Sequence, residues 1–347
     1  MKREIGVKSF VVLAGFAAMW LSASQALAQG EPDIVWEALT PSGLANSIQG
    51  VGWAPGTSGR VAVGSTDRWV RTRRSSDGAL VYSVLQPHRS GGADQTIYSS
   101  DGVYLAVHNS SGGASYRVHR AADGAFLGLL TTTIAANNLV SFAPDAQLLA
   151  AAGGDGTLSR WRFEDFTVGR TVGSGYDRVT TVFNFSPNGA YQSAASRGSI
   201  TIQRRTDGSI VRVFAGGSVV AFSRDSTRIA AWAASPNRTT LRRISDGAVL
   251  MQFPGAAVNE GVLAIRFTPD GTRLVTTGYL PFVDDQGLWQ QEGVIRFWRV
   301  ADGALRQIYN EGTGLAVTSP VAWSPDATRF VYGTYEGTAV VARTPAP

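Results

Sequence analysis

Phe267-Thr268-Pro269-Asp270-Gly271 separates two runs of β-forming residues. Proline presets φ for the first turn position, and Asp with Gly suits the next ones, so the stretch reads as a tight reversal between two strands. The arrangement is an aromatic, a small residue and a Pro/Asp/Gly-type turn, and it recurs through the chain. Copies stand at Trp53-Ala54-Pro55-Gly56, Tyr98-Ser99-Ser100-Asp101-Gly102, Phe142-Ala143-Pro144-Asp145-Ala146 and Phe185-Ser186-Pro187-Asn188-Gly189. Two more are Phe222-Ser223-Arg224-Asp225-Ser226 and Trp323-Ser324-Pro325-Asp326-Ala327, which makes seven with the first. Their aromatics lie 37 to 56 residues apart.

A second signal runs in step with the first. Asp-Gly follows a basic strand end at Asp77, Asp123, Asp207, Asp246 and Asp302, with Asp165-Phe166 as a degenerate copy. Asp-Gly between apolar runs is a strong hairpin signal. An arginine stands three residues before each Asp: Arg74, Arg120, Arg162, Arg204, Arg243 and Arg299, with Arg343 in the matching place of the last copy. Each unit thus holds four short strands in about 42 residues, and no helical periodicity follows Ala28. One such sheet cannot bury both its faces. Seven packed around an axis give every sheet two neighbours. The expected fold is all-β: a seven-bladed β-propeller of four-stranded blades.

The last copy supplies three strands, Pro320 to Ser324, Arg329 to Gly333 and Gly337 to Arg343, and then stops at Pro347. Its fourth strand is missing. Ile34-Val35-Trp36-Glu37-Ala38-Leu39 precedes the first turn as a strand without a partner. It is expected to complete the seventh blade, which removes an open edge.

These residues resemble the WD-repeat β-propeller family. The likeness lies in the Ser-Pro-Asp-Gly turn and in strands such as Gly156-Thr157-Leu158-Ser159-Arg160-Trp161-Arg162 and Gly293-Val294-Ile295-Arg296-Phe297-Trp298-Arg299, and it covers roughly residues 34 to 344. The naming Trp-Asp pair is Trp-Arg here, in two copies, and the Gly-His pair before the first strand is absent. The family's Asp-His-Ser/Thr-Trp hydrogen-bond tetrad is therefore not expected to form.

Composition agrees with a turn-rich β protein. Of 347 residues, 40 are glycine and 14 proline, and only 16% are charged. There is no cysteine, which excludes disulfides, thiolate metal sites, a cysteine nucleophile and a lipidated N-terminal cysteine. The three histidines are His88, His108 and His119, too few for a histidine-rich metal site.

The first residues read differently. Lys2, Arg3 and Lys8 precede the apolar run Phe10 to Leu21, and small residues end at Ala26-Leu27-Ala28. That is the layout of a secretory signal peptide with cleavage after Ala28. The run is shorter than the ~20 residues that span a bilayer. The division is therefore 1–28 signal peptide and 29–347 a single propeller domain, secreted or periplasmic, with no stable membrane insertion after cleavage. Lys2 and Lys8 are the only lysines, so the rest of the chain offers no P-loop, Schiff-base or general-base lysine. Setting aside Lys2, Arg3, Glu4 and Lys8 takes the net charge from +5 to about +3, too small to argue for nucleic acid.

The Pro-Asp and Asp-Gly turns share one end of the blades. The other end holds the blade-to-blade crossings and middle hairpins, which vary more and are where a rigid scaffold binds. The longest insert there runs from Tyr279 to Glu292 in the sixth unit. Phe282, Leu288 and Trp289 are large apolar groups in it, beside Asp284 and Asp285. Aromatic anchors with a polar rim resemble interface hot spots. An extended hairpin packing its own aromatics onto the propeller stays open as the other reading. His88, Arg89, Asp94, Tyr176, Arg178, Glu260 and Glu311 belong to crossings at the same end.

Catalytic constellations are not evident. There is no G-x-S-x-G elbow, and Asp155-Gly156 and Asp284-Asp285 lack regular calcium-ligand spacing. No catalytic, cofactor or metal residue is assigned, and no cofactor is expected. The expected function is a monomeric, non-catalytic binding scaffold for another protein. The alternative is a propeller hydrolase or lyase acting on a carbohydrate or lactone, with carboxylates at its axis.

Overall fold

Five of the seven aromatic–turn segments are closed by a hydroxyl of their own. The Ser324 hydroxyl donates to Asp326 Oδ1 at 2.6 Å and accepts the Arg329 N–H at 2.9 Å, while Asp326 Oδ1 accepts the Thr328 N–H at 3.0 Å. Ser99, Ser186, Ser223 and Thr268 make the same set with Asp101, Asn188, Asp225 and Asp270. These hydroxyls are buried, so the carboxylate and backbone satisfy them in place of water. The turn residue after the Asp or Asn sits at positive φ. It is glycine at Gly102, Gly189 and Gly271, but Ala146, Ser226 and Ala327 in three blades.

The Asp-Gly turns work by a second device. The Gly78 N–H donates to the Arg74 carbonyl at 2.9 Å, and Asp77 Oδ1 accepts the Ala79 N–H at 3.1 Å. Glycine alone takes the positive φ here, +74° at Gly78, and the Asp does not. The turn therefore demands one left-handed residue, and the register beside it shifts by one.

These reversals make seven antiparallel sheets in chain order. The computed structural model describes residues 28–29, 31–41, 46–87, 92–109, 115–131, 140–152, 158–163, 165, 167–171, 180–196, 198–217, 219–255, 261–283, 286–310 and 320–346. Blade one consists of Ile48–Trp53, Arg60–Ser65, Trp69–Arg74 and Leu80–Leu85. Blades two to six occupy 93–131, 141–171, 180–215, 219–254 and 261–310. Blade seven takes Ala322–Trp323, Arg329–Gly333 and Thr338–Arg343 from the end of the chain and Ile34–Leu39 from its beginning. Trp36 pairs with Val341 and Leu39 with Thr338, so the expected closure is what the structure has. Among the described residues there is no helix, hence none long and apolar enough to cross a membrane. Residues 1–27 of the expected signal peptide lie outside the described residues. Ala28–Gln29 pairs in parallel with Gln307 and Ile308 on the outer strand of blade six.

The first strands of successive blades pack beside one another around the axis, and the fourth strands form the rim. Every blade-to-blade interface carries its own apolar cluster. Between blades six and seven, Ile295, Phe297 and Tyr309 meet Val321, Phe330 and Tyr332. Trp298, one residue on from Phe297, faces blade five instead, against Leu241 and Phe253. Both faces of each sheet are thus covered. Blades one and two approach closely: a Cβ on Gly64 would stand 2.4 Å from the Ala93 carbonyl oxygen.

Polar links cross the same interfaces. Arg60, Arg273 and Arg329 open the second strands of blades one, six and seven, and each donates to a carbonyl of the next blade: Ala121, Pro345 and Ser75. Trp36 Nε1 donates to the same Ser75 carbonyl at 3.0 Å, and its ring lies over Gly78.

Candidate functional site

Blade six departs from the others in one hairpin. Its second and third strands, Arg273–Val283 and Trp289–Arg299, each run 11 residues, against five to seven in the other blades. The first strand of the blade ends its pairing at Gly261↔Tyr279 and the fourth at Val294↔Asn310. Beyond that level the pairs Leu280↔Glu292, Pro281↔Gln291, Phe282↔Gln290 and Val283↔Trp289 form a two-stranded ribbon with no third strand beside it among the described residues. Paired residues share a face, and faces alternate along a strand. Trp289, Val283 and Pro281 therefore lie on one side of the ribbon, and Phe282 and Leu280 on the other.

The ribbon's large side chains face solvent. Trp289 is 73% exposed, Leu288 55%, Val283 51% and Phe282 37%. Every other described tryptophan is buried or half-buried. The aromatics are not packed onto the propeller. Blade seven's middle hairpin, at the same end, presents Tyr335 at 59% exposure beside half-buried Glu336. The sequence analysis did not single out that pair, because a four-residue turn carries no insertion to draw notice.

Of the other residues expected at this end, His88, Arg89, Tyr176, Arg178, Asp284, Asp285, Glu260 and Glu311 lie outside the described residues. Asp94 is a correction in placement. It belongs to the first strand of blade two, Ala93–Tyr98, rather than to a loop. Its carboxylate stands 2.7 Å from Nδ1 of His108, whose ring is buried and stacks on Tyr116 at 4.6 Å. Burial, with the Asp94 charge nearby, pushes the Tyr116 hydroxyl well above its ordinary pKa. Asp94 is thus tied into blade two.

Among the described residues the axial strands are poor in acids. The described first strands carry one carboxylate, Asp94. They carry one cation, Arg266, whose guanidinium donates to the Ile265 carbonyl at 2.9 Å and is held below its ordinary pKa by burial. A hollow of about 370 Å³ lies against blade one, lined by Ser58, Gly59, Arg60, Arg74, Ala79, Leu80 and Val81, with no carboxylate.

The repeated arginines of the opposite end are engaged locally. Arg74, Arg120, Arg243 and Arg299 pair with the turn carboxylates Asp77, Asp123, Asp246 and Asp302. Asp77 and Asp123 are held below the usual carboxylate range first by the backbone N–H of Ala79 and Ala125, with the neighbouring arginine adding to it. For Asp302 the Arg299 guanidinium is the leading cause. This geometry makes these four arginines a turn device.

No protein family matches the chain's sequence, and no curated protein does.

Proposed function

We propose that the protein is an exported, non-catalytic binding scaffold that holds another protein on its variable-loop face, with the blade-six ribbon as the contact. One observation carries this reading. The most exposed of the described tryptophans stands on a ribbon raised beyond its own sheet, flanked by Val283, Leu288 and Phe282. Exposed indole on a rigid base is costly to leave in water and is enriched where interfaces form. The sequence of the same insert carries Asp284, Asp285 and Glu292, the composition of a polar rim. The turn boxes and the Trp-Arg third strands support a WD-repeat-like assignment for the blades. A single carboxylate on the described first strands, already held by His108, speaks against the axial-carboxylate alternative.

The test is capture of a partner from the organism's own envelope extract by chemical crosslinking, with wild type and with residues 280–291 deleted. The expected result is one protein recovered by wild type and lost on deletion. Equal recovery by both overturns the ribbon's role. N-terminal sequencing of the exported protein is expected to begin at Gln29.

A further inference from the structure

We propose that the hollow against blade one is a second binding site, at the short-turn end of the protein, for a small molecule that carries an oxyanion, carboxylate or phosphate, on an apolar body. The site stands independently of the reading of the ribbon.

Charge singles out this blade. In blades one, five, six and seven two arginines stand opposite each other where the second strand begins and the third ends: Arg60↔Arg74, Arg228↔Arg243, Arg273↔Arg299 and Arg329↔Arg343. Like charges so paired repel. Blades five, six and seven answer each pair with two carboxylates. One comes from the Asp-Gly turn or, in blade seven, from the chain junction: Asp246 on Arg243, Asp302 on Arg299 and Asp33 on Arg343. The other comes from the aromatic turn. Asp225 meets Arg228 at 3.4 Å, and Asp270 and Asp326 act on the charges of Arg273 and Arg329. Blade one has the first acid, Asp77, 2.9 Å from Arg74 Nε, and lacks the second. No acid occurs between Glu37 and Asp67 in the sequence. Blades two, three and four have Tyr104, Leu148 and Tyr191 in the place of Arg60.

The aromatic turn of blade one is also built differently. Six residues separate Trp53 from Arg60, against five between Phe267 and Arg273. Ala54 supplies no hydroxyl, and Gly56 and Gly59 take positive φ, +70° and +60°. In blade six the Gly271 N–H donates to the Thr268 carbonyl and the Thr272 N–H to Asp270. Those bonds have no counterpart in blade one among the described residues. Turns that free backbone N–H groups in this way make concavities for anions.

The hollow of about 370 Å³ lies where these features meet, and that is the size of a small-molecule site. Ser58, Gly59, Arg60 and Arg74 line it together with Leu80 and Val81, large apolar groups that are 54% and 45% exposed. Arg60 is held in place. Its Nη1 donates to the Ala121 and Ala122 carbonyls of blade two at 2.8 and 2.6 Å, which leaves Nη2 for a ligand. Asp123, in that same turn of blade two, is taken by its own Arg120 at 3.0 Å. A guanidinium fixed before binding loses little freedom on meeting an oxyanion, and the charge-assisted pair is strong. A cationic ligand would add to the repulsion, and a neutral apolar one would bury the guanidinium groups unpaired.

The probes are phenyl phosphate and benzoate, titrated onto the full exported chain by isothermal titration calorimetry, with inorganic phosphate and benzyl alcohol as controls. At least one of the two aromatic anions is expected to bind about tenfold or more tightly than either control, and the tighter one names the anion. Its affinity should weaken as salt rises from about 50 to 300 mM. R74Q is expected to cost at least about tenfold in affinity. S58D, which puts a carboxylate into the turn, is expected to abolish binding without lowering the unfolding midpoint. R243Q, at the matching position of blade five, should leave the affinity unchanged. Ser58, Arg74 and Arg243 are exposed, and unchanged circular dichroism and unfolding midpoints in the three variants exclude a folding defect. Binding of neither anion, equal binding of a control, an affinity unchanged in R74Q or in S58D, or an equal loss in R243Q overturns the proposal. Deletion of 280–291 should leave these affinities as they are. A loss there would place the anion on the ribbon and overturn this site, whereas failure of the ribbon to hold a partner leaves the titrations unaffected.

Discussion

Arg343 and Asp33 lie 310 residues apart in sequence and form one turn in space. The Arg343 N–H donates to the Asp33 carbonyl at 2.8 Å, and its guanidinium meets both carboxylate oxygens at 2.9 and 2.8 Å. In blade one the chain makes the same backbone bond within a single turn, from the Arg74 N–H to the Ala79 carbonyl. The junction between the two ends of the chain thus reproduces the geometry of the covalent turns.

The ion pair is not what holds the ring closed. Both side chains are about 63% exposed, and exposed pairs contribute about 0–1 kcal/mol. Trp36 is 8% exposed and bridges blades seven and one. W36A is expected to cost about 3–5 kcal/mol in denaturant unfolding, and D33A under about 1 kcal/mol. The reverse order would mean that the junction is electrostatic.

The turn boxes give a second expectation. S324A leaves the half-buried Arg329 N–H without its 2.9 Å acceptor and frees Asp326 of one donor. A loss of about 1–2 kcal/mol is expected by urea denaturation. Ala54 and Ala143 stand at the matching positions of blades one and three, so the fold tolerates the change. No loss would show the hydroxyl to be incidental.

Ala327 sits at φ +60°, a conformation that strains a residue with a Cβ. A327G is expected to stabilise by about 0.5 kcal/mol or more, against the usual direction of Ala→Gly. Differential scanning calorimetry decides it, and a lower midpoint would contradict the assignment.

Acid should unfold the protein in two stages. His119 is buried, with Nδ1 3.0 Å from the Gly124 carbonyl, and burial lowers its pKa. The turn carboxylates Asp77, Asp123, Asp207 and Asp246 are also lowered, first by the backbone N–H two residues on. In each case the folded state binds the proton more weakly than the unfolded chain. The stability these groups add is complete above their unfolded values and is lost as pH falls through the folded ones. Thermal midpoints are expected to hold above about pH 6.5, decline gently below it and drop steeply below about 4. A midpoint that rises between pH 7 and 5 would contradict this.

Much of the architecture was legible because its turns are local. Pro-Asp-Gly and Asp-Gly sequences act through φ and nearby donors, so each copy announces itself without knowledge of the rest. Closure was legible by subtraction: the last copy lacked a fourth strand, and Ile34–Leu39 lacked a sheet. Three left-handed positions were not, because Ala146, Ser226 and Ala327 carry no glycine to mark them and are held there by the Asp-capped turn. Asp94 was misplaced as a loop residue because its partner His108 is 14 residues away, across a strand pair. The ribbon was visible as an insertion, but which way its aromatics face is set by pairing register. Val283↔Trp289 and Phe282↔Gln290 put the apolar groups on opposite sides, where one side cannot lie on the propeller without baring the other.

The most direct measurement places a photo-crosslinking amino acid at residue 289, and separately at residue 57 on the short-turn end, in the exported protein within its own cells. Illumination is expected to yield one protein adduct from position 289 and none from position 57. Adducts of equal yield from both positions, or none from 289, would contradict the ribbon as the contact surface.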